Sequence, residues 1–276
     1  MKNEQNTSPP DRLTVHLDFN SSQGEFRRTL QHQLNVVTLL TVGARKVSAE
    51  EIEPQGFHNF SPAYNARLSE DLARAKAFEW LNSSFLRDSI EATDQFLGRC
   101  LSFCAAIDLS TKGLTPAELV EQLESVIPKK HQKLHFPAKI RELREKYRVQ
   151  PQLAEHVLSL NRVRTCLVHR LGKVTEADTD DQGRLVAKWL SSQMVLRGLE
   201  TGTQLVITQP GPGLNEKSKL EMHIVEHERI FRLGEHVALA PYDIFSTIFT
   251  LWRFGLHCAD SIQAFAESAG IRILRK

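Results

Sequence analysis

Apolar and polar positions divide the chain into a helical first two thirds, a β-rich stretch and a final helix. Leu13, Val15, Leu17 and Phe19 alternate with Arg12, Thr14, His16 and Asp18, the two-residue period of a short, half-buried strand. Asn20 to Gly24 break that pattern, and Leu30, Leu34, Val37 and Leu40 then recur at helical spacing between Phe26 and Val42. Gly43 to Asn65, with Pro54, Gly56 and Pro62, reads as an irregular connection anchored by Phe57, Phe60 and Tyr64. Ser69-Glu70-Asp71 is a helix start, and apolar positions from Leu72 through Trp80, Phe85, Ile90, Phe96 and Leu101 continue to about Ile107. This span is either one very long helix or two, with Asn82-Ser83-Ser84 as the break because those side chains can cap a second helix.

Thr115, Pro116 and Glu118 have the spacing of a capping box with proline in the first turn. Leu119, Leu123 and Ile127 of that helix face inward, and Pro128 is expected to stop it. A short basic helix over 137–148 follows, with Ile140, Leu143 and Tyr147 on its apolar side, and Pro151 opens the next, which runs out at Gly172. Strands are predicted in 182–198, at Leu205 to Ile207 and around Met222 to Val225. Leu233-Gly234-Glu235 is a tight turn joining Ile230-Phe231-Arg232 to a further strand at Val237 to Ala240. Pro241 to about Ala269 is a long helix, apolar enough to be central and ended by Gly270. The fold class is therefore mainly α, a helical bundle with a small antiparallel β segment inserted before a long C-terminal helix. Residues 1–25 form an arm and short strand, and 26–276 one domain, with the β-rich insertion at about 183–240.

Composition agrees with a globular chain: 276 residues, 41% hydrophobic and 25% charged. No run approaches the ~18 apolar residues of a membrane span, and residues 1–11 lack an apolar signal core, so a cytoplasmic protein without membrane association is expected. Cys100, Cys104, Cys166 and Cys258 lie in apolar helical patterns and read as buried thiols, not a disulfide framework. The net charge of +2 is uneven: from Lys129 to Lys173 there are 12 Lys or Arg against Glu142, Glu145 and Glu155, a surplus of 12 − 3 = +9 that suits a polyanion. His223 and His227 share a strand face but lack a third ligand, so no metal site is expected. The sequence has no glycine-rich phosphate loop, nucleophile elbow or zincin histidine pair, which leaves out the common nucleotide and metal enzymes, and no cofactor is expected.

One helix carries candidate chemistry. Leu153, Val157, Leu160, Arg164 and Val168 fall along one stripe, so Arg164 sits at or beside the packed face and needs carbonyls, a carboxylate or a phosphate. His169 is five positions on, about 140° around an ideal helix. The two side chains converge only if the helix end frays or a second protomer supplies its own pair. Arg164-Thr165-Cys166-Leu167-Val168-His169, preceded by Asn161 and followed by Arg170-Leu171-Gly172, resembles the signature of HEPN domains, an arginine followed four to six residues later by a histidine near the end of a long helix. The resemblance covers about residues 150–175, and 66–150 in outline. Thr165 departs from it, standing where asparagine, aspartate or histidine is common.

The resemblance implies an all-α bundle, commonly dimeric, acting as a metal-independent endoribonuclease or RNA-binding relative in a toxin or anti-phage role, with an antitoxin or other subunit as a further partner. His169 would exchange protons at the ribose 2′-OH and the leaving oxygen, since histidine changes charge near neutral pH. Arg164 would hold the scissile phosphate. Asn161 and Thr165 would be secondary donors, with Arg162 and Arg170 beside them as substrate-binding cations. The alternative is a non-catalytic RNA-binding or dimerisation module in which Arg164 bonds helix carbonyls and His169 is a favourable cation at a helix C-terminus.

Overall fold

A computed structural model describes residues 18–48, 69–112, 114–208 and 213–271. The strand expected at Leu13 to Leu17, and the anchors Phe57, Phe60 and Tyr64, lie outside them. Helix α1 spans Phe19–Lys46, so Asn20 to Gly24 continue a helix instead of breaking a strand. The cause is Asp18, whose carboxylate accepts the Ser21 N–H at 3.1 Å. Phe19, at the first helical position, packs its ring edge-on at 4.7 Å against Phe103.

Helix α2 is one continuous element, Glu70–Ser110, capped by Ser69 as its sequence predicts. Asn82-Ser83-Ser84 does not break it. The Ser83 hydroxyl donates back to the Glu79 carbonyl, and the Asn82 amide donates at 2.7 Å to the Leu239 carbonyl, so neither is left to cap a new helix. α1 and α2 pack together, with Phe26 and Phe96 stacked at 4.4 Å. Gly255 of the last helix meets them there: a Cβ at that position would stand 2.7 Å from the Phe26 ring.

Short helix α3, Pro116–Glu121, begins with the predicted Thr115–Glu118 capping box. The chain then widens into a π turn, Gln122–Val126, and continues as α4, Ile127–Gln132, so Pro128 does not end the helical path. A proline ring strikes the carbonyl four residues before it in a regular helix, and the wider turn relieves that clash. α5 spans Phe136–Tyr147 and α6 spans Ala154–Arg170.

Strands β1 (Arg184–Gly198), β2 (Gln204–Val206) and β3 (Ser218–Arg232) form an antiparallel sheet in the order β2-β1-β3. Beyond the reach of β2, the edge of β1 is closed by helix hydroxyls. Lys188 N–H donates to Ser159 Oγ of α6 at 2.9 Å, and Leu190 N–H donates at 2.8 Å to Thr250 Oγ1 of the last helix. Val237 to Ala240 is not a strand. Its backbone is taken up elsewhere, Val237 N–H by the Gly172 carbonyl and the Leu239 carbonyl by Asn82, leaving only an isolated bridge between Lys173 and His236.

Helix α7, Pro241–Ser268, packs against α1, α2, α6 and β1 and is central as expected. Asp243 closes its first turn, accepting from Ala240 N–H and from Arg229. The apolar core is continuous from Phe26 and Leu30 through Leu97, Leu160 and Leu185 to Leu251 and Ile262. All four cysteines are free and buried in it. Among the described residues no helix is long and apolar enough to cross a membrane, and no group of three or more His, Cys, Asp or Glu is placed to hold a metal ion.

Candidate functional site on helix α6

Helix α6 begins after Leu153, which adopts a left-handed backbone with φ 66°, and keeps regular geometry through Arg170. Leu171 and Gly172 then turn left-handed, with φ 51° and 79°, and the N–H of Gly172 closes on the Cys166 carbonyl. Gly172 suits that conformation, whereas Leu171 carries a side chain in it and is 83% exposed. The helix end therefore does not fray before His169. Within one chain Arg164 and His169 keep the divergence of about 140° that five helical residues impose.

The inward side of α6 is Ala154, Val157, Leu160, Val163, Cys166 and Leu167, all buried. His169 and Arg162 are exposed on the opposite side, and Asn161 and Thr165 are half-buried beside them. On an ideal helix those four positions lie within about 100° of one another. Arg164 stands about 60° beyond Asn161, at the border with the packed stripe.

The polar partners of these residues differ sharply. Arg164 is half-buried, its Nε is fully enclosed, and among the described residues no acceptor reaches its guanidinium. His169 and Arg162 likewise have no partner there. The Thr165 hydroxyl is committed to its own helix, donating to the Asn161 carbonyl at 2.9 Å. Arg170 is held at 2.7 Å by Asp178, whose buried carboxylate also accepts from the N–H and hydroxyl of Thr175. That ion pair ties the end of α6 to the turn over Glu176–Asp178. Asp178→Asn is expected to lower the stability by about 1–2 kcal/mol, read as a lower urea midpoint, because Asp178 supplies charge-assisted hydrogen bonds.

The basic stretch sorts the same way. Lys130 and Lys146 meet Glu142, Lys139 meets Asp94, Arg144 meets Glu155 and Arg170 meets Asp178. Lys129, Lys133, Arg141, Arg148, Arg162, Arg164 and Lys173 have no acid partner among the described residues. His223 and His227 are separately occupied, by Glu221 at 3.2 Å and by Ser191 at 2.6 Å.

Two features were not read from the sequence. A groove of about 450 Å³ between α2 and the 236–239 segment reaches α6 at Leu167, with Asn82, Lys76, Glu79 and His236 on its walls. Neither Arg164 nor His169 lines it. On α7, Arg253 is a second guanidinium with an enclosed, unpartnered Nε. One turn on, burial and then the charge of Arg253 push the His257 imidazole below its ordinary value, against the pull of Asp260. Its only sequence signal was an arginine and a histidine four apart inside a helix otherwise apolar enough to be core.

Comparison of the chain with known protein families, curated proteins and solved structures finds no match.

Proposed function

We propose that the chain is a HEPN-like protein that acts on RNA through α6, as a metal-independent endoribonuclease with a toxin or anti-phage role. The observation that carries the reading is the Arg164 guanidinium, partly withdrawn from water without an acceptor. A buried donor left unsatisfied costs about 1–3 kcal/mol, more when charged, and a phosphate oxygen would remove that cost. The partnerless cations from Lys129 to Lys173 supply the attraction to a polyanion.

RNA brings its own nucleophile. His169, open to solvent at the helix end, takes the proton of the 2′-OH or returns one to the departing 5′ oxygen, while Arg164 offsets charge on the phosphate oxygens. DNA lacks the 2′-OH and is not cut by this route. Because the two side chains diverge on a regular helix, one phosphate meets both only when Arg164 of one protomer faces the partner's His169 across a two-fold axis. An antitoxin or other subunit would bind the same outward side of α6.

A second reading, a non-catalytic RNA-binding or dimerisation module, is favoured by Thr165, whose hydroxyl proton is already used within α6. One experiment separates the two. Purified protein is incubated with total RNA in EDTA beside Arg164→Ala and His169→Ala, with RNA binding measured in parallel. Cleavage by wild type alone is the expected outcome. Intact RNA in all three samples, with folded protein, removes the ribonuclease reading, and binding lost only in Arg164→Ala then supports the module.

A further inference from the structure

Strand β3 is the outer strand of the sheet, and among the described residues nothing pairs along its far side from Ser218 to Arg232. β1 turns the N–H groups of Lys188 and Leu190 towards the helices, so its odd-numbered residues serve the ladder to β3. Given the register Trp189↔His227 and Gln193↔His223, odd residues of β3 bond β1, and even ones aim their N–H and carbonyl groups at the open edge. Arg232 follows that alternation, its N–H donating outward to the side chain of Glu235. Exposed edges are normally blunted by charged side chains, prolines, bulges or a covering segment, and in β3 the even-numbered face from Leu220 to Ile224 carries no charge. β3 has no proline, and its register with β1 is unbroken over all 15 residues.

One face of the distal half of that edge is also apolar. Leu220, Met222 and Ile224 are 53%, 57% and 40% exposed on one face, continuous with Met194 and Leu196 directly opposite them on β1. Glu221 and His223 lie between them on the other face, 3.2 Å apart, with Lys219 beside Glu221 at 3.5 Å.

We propose that the open edge of β3 docks β3 of a second copy of this chain, antiparallel and centred on Met222, joining two three-stranded sheets into one of six strands. Because only even residues present free backbone groups, even must oppose even in the new ladder. Centring on Met222 places Met222 against Met222, Leu220 against Ile224 twice, and Glu221 against His223 twice. In the central five positions apolar side chains thus meet apolar ones and Glu221 meets a base, the cross-strand pairs that stabilise a sheet, while the outer pairs, Lys219 with Val225 and Ser218 with Glu226, oppose no like charges.

Neighbouring registers do worse. Centring on Leu220 pairs Lys219 with Glu221 but overlaps only Ser218 to Met222 of each strand and sets Met222 against Ser218. Centring on Glu221 opposes glutamate to glutamate and His223 to Lys219. Centring on His223 opposes His223 to itself and sets Leu220 against Glu226. Centring on Ile224 or Val225 sets Met222 against Glu226 or Glu228. The interface does not involve Arg164 or His169 and stands or falls apart from the reading of α6.

The register makes the test specific. Facing hydrogen-bonded residues have Cα atoms about 5.5 Å apart, within disulfide range. Met222→Cys is expected to give a covalent dimer under mild oxidation. Leu220→Cys and Ile224→Cys are not, because each copy would sit four residues, roughly 13 Å, from its twin. In sedimentation equilibrium at tens of micromolar, Ile224→Pro is expected to have a smaller mass than wild type, any pairing through α6 being left intact, with an unchanged circular dichroism spectrum. Proline at 224 removes an outward N–H only, a position where edge strands tolerate it. Should that variant not fold, Met222→Lys, which opposes two ammonium groups at the two-fold, takes its place. A monomeric wild type, a wild type no larger than Ile224→Pro and Met222→Lys, or the absence of a cross-link at 222 overturns the proposal.

Discussion

Asp94→Ala is expected to destabilise the fold by about 3–5 kcal/mol, the loss that follows when one member of a buried ion pair is removed. Lys139 of α5 reaches across to α2 with its side chain only 5% exposed. Its Nζ lies 2.6 Å from Asp94 Oδ2 and 3.1 Å from the Asp94 carbonyl. Gly98 leaves the room for it: a Cβ there would already stand 3.8 Å from Nζ. Without the carboxylate, an ammonium stays enclosed with one carbonyl for company.

The reverse change costs less. Lys139→Met keeps the packing of the stem, and the stranded Asp94 side chain, though its Oδ1 is enclosed, is 25% exposed and so less completely desolvated than the Lys139 ammonium. Removing both charges together, as Asp94→Leu with Lys139→Met, should recover much of the loss, since a buried pair is often no more stable than an apolar replacement. Urea unfolding of the three variants checks the order: Asp94→Ala lowest, Lys139→Met intermediate, the double change highest. Equal losses in both single variants would mean that the pair is not unevenly buried.

Where the sequence predicted well, the responsible groups lie within a few residues of one another. Ser69, the Thr115–Glu118 box and Gly172 act on their own helix ends. The stripe of α6 was read only in part: Val157 and Leu160 are buried as expected, but Leu153, Arg164 and Val168 are half-buried and the packed side turns towards Val163, Cys166 and Leu167. Two of the errors have a different cause. Asn82 reaches Leu239, 157 positions away, and the backbone of Val237 is taken by Gly172, so both outcomes are set by contacts no local window contains. At Asn20 to Gly24, alternation ending in Phe19 masked Asp18, a cap visible in the sequence but outweighed by the strand pattern.

The candidate site divides along the same line. Helical geometry alone gave the border position of Arg164 and its divergence from His169. It could not tell that Arg170 is tied to Asp178 while Arg164 finds no acceptor, because both depend on which groups the fold brings against α6.

Acid should weaken the fold between about pH 6.5 and pH 4 through one histidine. His131 of α4 is 3% exposed, with Nδ1 3.3 Å from the Ser102 hydroxyl of α2. That hydroxyl also lies 3.1 Å from the Gly98 carbonyl. With its proton given to the carbonyl, Ser102 offers Nδ1–H a lone pair, an arrangement that a neutral imidazole satisfies. Burial is the main cause that pushes the His131 pKa down to about 4; Lys130, Lys146 and Lys139 add to it and Glu142 opposes it.

The sign follows from which state takes the proton first. Above about pH 6.5 the imidazole is neutral in both states, and its contribution is fully present. As pH falls from there towards 4, the unfolded chain is protonated and the folded one is not, so stability drops by about 1.4 kcal/mol per pH unit. The total is on the order of 3 kcal/mol, with no further loss from this group below pH 4. His131→Asn keeps a donor for Ser102 and does not titrate. Its unfolding free energy, compared with wild type at several pH values, should lack this slope, so that the gap between the two proteins changes in its favour from pH 7 to pH 4. A gap that stays constant over that range would mean that His131 is protonated as readily in the fold as out of it.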